Sequence, residues 1–252
     1  MDADKPVTER ISLLKVPLDI VSRENLPEIV MEILSRGEGA NIVLLSLWDL
    51  LKAKRSGEYR SFVTGASLVI PISKSLIRGA KFLTGKIPVR YMPFDFVISL
   101  LSILENREFS VYLLGGGRKI LKKTEKNIRQ TFPHLRVVGR FPGGFRRQEE
   151  TGLLQAIRKA SPSLLLVGKG VKGEEKWIAR NSVHLSKGLR LWCSDLYDVF
   201  AERKKRPSRR VFESGLEWIG FCFRNPIRIF RFFHYLRYAF LLLVYKVSNK
   251  KK

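Results

Sequence analysis

The stretch Ser163–Asn181, SLLLVGKGVKGEEKWIARN, decides how the rest of the chain is read. Leu164, Leu165, Leu166 and Val167 form a short unbroken apolar run, the pattern of a strand buried on both faces of a parallel sheet. Gly168 and Gly170 follow, and the lack of a Cβ lets the backbone turn sharply and another group approach it. Glu174 and Glu175 then precede Trp177, Ile178 and Arg180, as acids do near the positive end of a helix. In open α/β sheets ligands sit outside the carboxyl ends of the strands, where this loop is expected. The same spacing also suits an ordinary strand-to-helix connection.

Working outward, apolar runs and helical periodicities alternate along the chain. A first strand is expected at Ile11–Asp19 and a helix at Glu24–Arg36, where Leu26, Ile29, Val30, Ile33 and Leu34 recur at helical spacing. Ile42–Leu47 is expected as a strand, Leu50–Arg60 as a basic helix, and Ser67–Ile72 as a strand that Pro71 assigns to an end or an edge. Pro93–Glu105 reads as a helix with proline in its first turn, and Phe109–Leu114 as the strand after it. Gly115, Gly116 and Gly117 open a helix that runs to Thr131; with Arg118 and Lys119 beside them, their amides could hold an anion, although neither the dinucleotide nor the Walker spacing is present. Leu135–Gly139 is a further strand, Phe141–Phe145 a turn, Gln148–Ala160 a helix and Leu189–Cys193 the last strand. This alternation predicts an α/β, Rossmann-like, doubly wound and mainly parallel sheet.

Beyond Glu202 the composition changes, so the expected organisation is an α/β domain over residues 1–202 and a basic helical appendage over 203–252. The appendage holds 14 Lys and Arg against Glu213 and Glu217, half of the chain's net charge of +24, and is dense in aromatics. A helix is expected from Ile227 to Val247, with Asn225 as its cap and Pro226 at its first turn. Arg228, Arg231 and Arg237 interrupt its apolar character, which suits a helix lying in the interface of an anionic membrane rather than one crossing it. The alternative is a core-packing helix with a solvated basic face.

Composition excludes other classes. His134, His184 and His234 are far apart and no Cys/His cluster has zinc-ligand spacing, so no metal site is expected. Cys193 and Cys222 make no disulfide framework, which points to a reducing compartment, and Met1–Lys15 lacks the pattern of a signal peptide. A pI near 10.4 calls for a polyanionic neighbour, but no RNP-like motif or helix-turn-helix supports nucleic acid.

At this point VGKGVKGEEKWIARN resembles the VGLGSPKQEKWIARN signature of the WecG/TagA/CpsF glycosyltransferases. YLLGGGRK stands where that family has its FLLGG turn, LRVVGRFPGGF is similar to its LRIVG…GYF segment, and SDLYDVFAERKKR to its GGAFDFLAGKVKR-like run. GLEW at Gly215–Trp218, Asn225–Arg231 and VPLD at Val16–Asp19 extend the likeness over nearly the whole chain. The resemblance implies an inverting transferase with no metal or other cofactor. It would move an N-acetylmannosamine-type sugar from a UDP-sugar to a polyprenyl-diphosphate-linked glycan for cell-envelope polysaccharide. The protein would sit peripherally on the cytoplasmic face of the cell membrane, with self-association as a further expectation. The substrate-binding residues it implies are Arg90, Gly115, Gly116, Phe145, Gly168, Gly170, Glu174, Trp177 and Arg206, with Arg224, Arg228 and Arg231 on diphosphate or membrane.

The chain departs from the family at the chemistry. The family's catalytic aspartate lies in an LPDG-like turn that here reads VIPISK, with Ile72 and Ser73 at the Asp and Gly places. Its T-x-N motif falls on Leu44–Ser46, and its RVTGTDL-like run on RYMPFDF, which keeps Arg90 and Asp95. Because isoleucine cannot accept a proton, Asp95, Glu175 and Asp198 become the candidates for the base. The two expectations are an active transferase with a relocated base, or an inactive membrane-associated binding or scaffold subunit.

Overall fold

The structure is a computed structural model in which residues 8–206, 208–214 and 232–250 are described. At its centre is a six-stranded sheet of order β4-β3-β8-β7-β5-β6, with every neighbouring pair parallel. These strands are β3 (Ala40–Leu45), β4 (Leu68–Pro71), β5 (Ser110–Leu114), β6 (Arg136–Phe141), β7 (Leu164–Gly168) and β8 (Leu189–Ser194). The expected α/β doubly wound fold is therefore found, with Pro71 on an edge strand. From β3 the chain winds outward to β4, and from β5 outward to β6 on the opposite side; β7 and β8 then fill the gap. The winding reverses between β5 and β7, which places the loops after Leu114 and Gly168 side by side at the carboxyl end, where such sheets bind ligands.

The alternation of side chains divides the core. Ile42, Ile70, Val111, Leu113, Leu166 and Leu191 point to one face. There they meet α1 (Leu26–Ser35), α5 (Pro93–Glu105), α6 (Arg118–Thr131) and α9 (Leu196–Phe200) through Val30, Leu100, Leu121 and Phe200. Tyr112, Leu114, Leu165 and Val167 point the other way, onto α7 (Arg147–Ala160) and α8 (Glu175–Arg180). Val43, Leu45 and Val69 share that second face with α2 (Leu47–Arg55), α3 (Gly57–Thr64) and an N-terminal hairpin.

Three elements differ from the sequence expectation. The expected first strand is a hairpin, β1 (Glu9–Leu13) and β2 (Val16–Ile20), turned at Leu14 and Lys15 with φ of 54° and 66°. Two positive φ values suit a two-residue hairpin turn, but neither residue is a usual turn former. The buried Asp19 fixes the hairpin: it accepts from Arg10 Nε at 2.6 Å and from the Val69 amide at 2.6 Å. The expected helix Leu50–Arg60 is two helices, because the Ser56 hydroxyl accepts from the Tyr59 amide and starts α3 afresh. Between β4 and α5 stands an unforeseen helix, α4 (Lys74–Thr84).

After α10 (Arg209–Ser214) the next described element is α11 (Phe232–Lys250), which overlaps the expected tail helix; residues 227–231 of that expectation lie outside the described residues, as do Arg224, Arg228 and Arg231. Tyr238 and Leu242 of α11 are buried against α4, where Gly79 leaves room for the Tyr238 ring and the Ser75 carbonyl accepts from its hydroxyl at 3.2 Å. Among the described residues no helix is long and apolar enough to cross a membrane.

Candidate active site

Three glycine loops cover the carboxyl end of the sheet and lock one another. The Gly115 amide donates to the Phe141 carbonyl at 2.9 Å and the Gly116 amide to that of Lys169. Gly143 donates to Gly116 O at 2.9 Å, and Gly144 to Gly170 O at 2.8 Å. The amides of Gly115 and Gly116 thus hold neighbouring loops. The glycines are needed because those loops pass so close: a Cβ on Gly115 would lie 2.5 Å from the Gly168 carbonyl oxygen, and one on Gly168 would strike the ring of Tyr197. Tyr197 is itself buried, its hydroxyl donating to Leu166 O at 2.7 Å. Gly143 packs on Gly170 in the same way, a Cβ there lying 2.8 Å from the Gly170 carbonyl carbon.

The acidic turn after Gly170 is directed inward. Glu174 adopts φ 54°, ψ −127°, a strained conformation for a residue with a Cβ, and this turns the next side chain, Glu175, under the surface. Glu175 accepts from Lys52 Nζ at 3.1 Å and Tyr59 Oη at 3.3 Å. Burial, and next the charge of nearby Asp49, raise its pKa above the ordinary carboxylate range, with Lys52 pulling the other way. Trp177 is fully buried: its indole N–H donates to Glu150 Oε1 at 2.6 Å, and Phe145 meets it edge-on at 6.1 Å. Phe145 and Trp177 therefore build the wall behind the loop.

The direction of the Glu175 shift predicts a pH effect. A carboxyl whose folded pKa lies above its unfolded one favours the protonated native state. Its penalty is absent at acid pH and grows as pH rises from the ordinary carboxylate range through the raised value. Glu175→Gln should therefore melt higher than the wild type at neutral pH, the gap closing toward pH 4. A gap that widened on acidification would refute the assignment.

A second group of the expected residues meets on the opposite face, in a cleft of about 310 Å³ lined by Arg23, Lys74, Arg90, Asp95 and Phe212. Arg90 donates to Ile72 O at 2.9 Å and to Phe212 O, and its guanidinium lies 3.7 Å from the centre of the Phe212 ring. Asp95, in the first turn of α5, is 3.5 Å from Arg206 and partly exposed. Asp198 lies apart on α9, 3.9 Å from Arg203. Arg90, Asp95 and Arg206 are thus brought together, Glu175 stands with Lys52 and Tyr59, and the three candidate bases do not form one group.

Between these groups the ends of β3 and β4 carry serines engaged in local structure. The Ser46 hydroxyl donates to Asp49 Oδ2 at 2.5 Å in a capping box that starts α2. The Ser73 hydroxyl accepts from the Leu47 amide at 3.1 Å. Ile72 presents no titratable group there. Sequence reading missed Arg23 and Lys74 on the cleft and Asp49, Lys52 and Tyr59 around Glu175. Only Lys74 carried a usable signal, its place just after the end of β4.

The sequence matches the family described as "Glycosyl transferase WecG/TagA/CpsF family" over residues 11–252. It is 23% identical over 201 residues to an N-acetylglucosaminyldiphosphoundecaprenol N-acetyl-beta-D-mannosaminyltransferase of Bacillus subtilis (strain 168), covering 79% of this chain and 77% of that one. A protein of the same description from Bacillus spizizenii is 21% identical over 218 residues, or 86% and 84% of the two chains. With a family match running from β1 to the last residue, and with the glycine loops, Arg90, Asp95 and Arg206 disposed about the carboxyl end of a doubly wound sheet, the chain belongs to the WecG/TagA/CpsF family of glycosyltransferases.

Proposed function

We propose that this glycosyltransferase moves an N-acetylhexosamine-type sugar, N-acetylmannosamine-like, from a UDP-sugar to a polyprenyl-diphosphate-linked acceptor for cell-envelope polysaccharide. The observation that carries the reading is the family match over almost the full length, together with two relatives described as transferring N-acetylmannosamine to a diphosphate-linked polyprenol. We assign the work to the cytoplasmic face of the cell membrane, with residues 203–252 as the attaching appendage and no metal or other cofactor. In an inverting displacement the acceptor oxygen attacks the anomeric carbon, a base takes its proton, and UDP leaves with both bonding electrons. Fixed cations and helix starts then stabilise the leaving diphosphate.

Asp95 suits the base. It lines the cleft on which Arg90 lies, with Arg206 3.5 Å from its carboxylate. With a lipid-diphosphate acceptor and UDP-N-acetylmannosamine, UDP release should be measurable, and Asp95→Asn should lower kcat by about a hundredfold or more, the scale of a lost general base. An unchanged kcat would remove Asp95 from that role.

One observation favours a second reading, an inactive membrane-associated binding or scaffold subunit. The end of β4, where the family turn has its aspartate, carries Ile72, and the neighbouring Ser46 and Ser73 are committed to helix starts. Tight UDP binding without UDP release for any acceptor would select that reading.

A further inference from the structure

The cleft beside Arg90 contains cations that the family signatures do not include. Lys74 is the first residue of α4, and its ammonium donates to two neutral acceptors, the carbonyls of Glu213 at 2.8 Å and Ser214 at 3.0 Å. Arg23 lines the same space, near the Tyr91 ring. Two acids line the cleft as well, Asp95, which is paired with Arg206, and Glu213. The helix behind Lys74 adds positive potential: Ser73 makes no cap on α4 because its hydroxyl serves the Leu47 amide, and no acid stands in the first turn of α4. Two cations and an uncapped helix start therefore converge on the space where Arg90 lies, which is chemistry for an anion carrying more than one charge.

Apart from Glu213, the rest of the lining is apolar. Ile77, Pro88 and Met92 face the same space as the cations. Beyond Pro88 the surface continues to Ile87 and Phe82, both exposed, and the ammonium of Lys246 from α11 lies 3.8 Å from the centre of the Phe82 ring. A diphosphate held by Lys74 could thus extend an attached hydrocarbon along α4 toward α11.

We propose that the cleft walled by Arg23, Lys74 and Arg90 at the start of α4 is a diphosphate subsite, and that it takes the prenyl-bearing diphosphate of the acceptor. The assignment rests on the transferase reading above for the identity of the acceptor, but not for the binding chemistry. Binding exchanges the carbonyls of Glu213 and Ser214 for phosphate oxygens on Lys74, so α10 moves when the subsite fills.

Calorimetry on the full chain tests this with farnesyl diphosphate, inorganic pyrophosphate and UDP as separate titrants. Lys74→Met should weaken farnesyl diphosphate about tenfold, the effect of one lost charged hydrogen bond. Arg23→Met should weaken it less, Lys74→Arg should restore most of the loss, and UDP affinity should stay unchanged in all three. On the wild-type protein, which needs no variant to fold, pyrophosphate should compete with farnesyl diphosphate and leave UDP binding untouched. Farnesyl diphosphate binding indifferent to both Met variants, or pyrophosphate competing only with UDP, would overturn the proposal and give the cleft to the nucleotide or to neither ligand. The two readings fail separately. Farnesyl diphosphate binding without glycosyl transfer sinks the transferase; transfer whose acceptor KM ignores Lys74→Met sinks the subsite.

Discussion

Gly115→Ala should be among the most damaging single substitutions in this protein, while the same change two residues later, at Gly117, the N-cap of α6, should cost under about 1 kcal/mol. Gly115 has φ +113°, a conformation L residues rarely adopt, and a Cβ there would lie 2.5 to 2.9 Å from three backbone atoms of Gly168. Backbone cannot rotate away as a side chain can, so one loop must shift, and with it the bonds from Gly116 to Lys169 and from Gly143 to Gly116. Backbone strain and overpacking each cost roughly 1–3 kcal/mol, so the sum is about 4 kcal/mol, a large part of ordinary domain stability. At about 2–4 °C per kcal/mol for a chain of this size, the melting midpoint should fall by roughly 10 °C. Gly116, with φ +67° and a Cβ 3.3 Å from Tyr197, should fall between the two. Gly117 has no positive φ and nothing within 4 Å of its Cβ. Equal melting points for the three alanine variants would show that the loops do not lock as described.

This series also shows how far the site was legible in the sequence. The GGG run could be seen as a turn, but which glycine serves packing depends on the β6 and β7 loops, which the sheet order alone brings alongside. Strands β5 and β7 were readable because parallel strands buried on both faces are near-continuous apolar runs. The hairpin was hidden because Leu14 and Lys15, its turn residues, are not turn formers, and Leu13 and Leu14 are both buried. Helix α4 was hidden by Gly79, a poor helix former kept small by a tyrosine that follows much later in the chain. Arg90 and Asp95 could be found through the family pattern. The raised pKa of Glu175 could not, because Tyr59, Lys52 and Asp49 reach it from α2 and α3. Arg23 sits in a loop with no distinguishing pattern.

Removing the outer face of α11 should detach the protein from anionic membranes. Tyr238 and Leu242 dock the helix onto α4, and on the opposite face Leu236, Phe240, Leu243 and Val247 recur every three or four residues and are 50–65% exposed. An apolar stripe of this length exceeds what a soluble surface ordinarily shows and belongs in an interface. Arg237 is exposed on the same helix, and such a basic group favours an anionic surface. Each of these side chains, if half buried in lipid, contributes about 1 kcal/mol, so Leu236→Ser, Phe240→Ser and Leu243→Ser together should weaken vesicle binding by roughly a hundredfold. The docking residues are untouched, and the melting temperature should therefore hold. High salt should weaken wild-type binding without abolishing it, because the apolar contribution is not screened. Undiminished co-sedimentation of the triple variant with phosphatidylglycerol vesicles would refute the assignment. A wild-type dimer that the triple variant dissolves would instead make this face a protein interface.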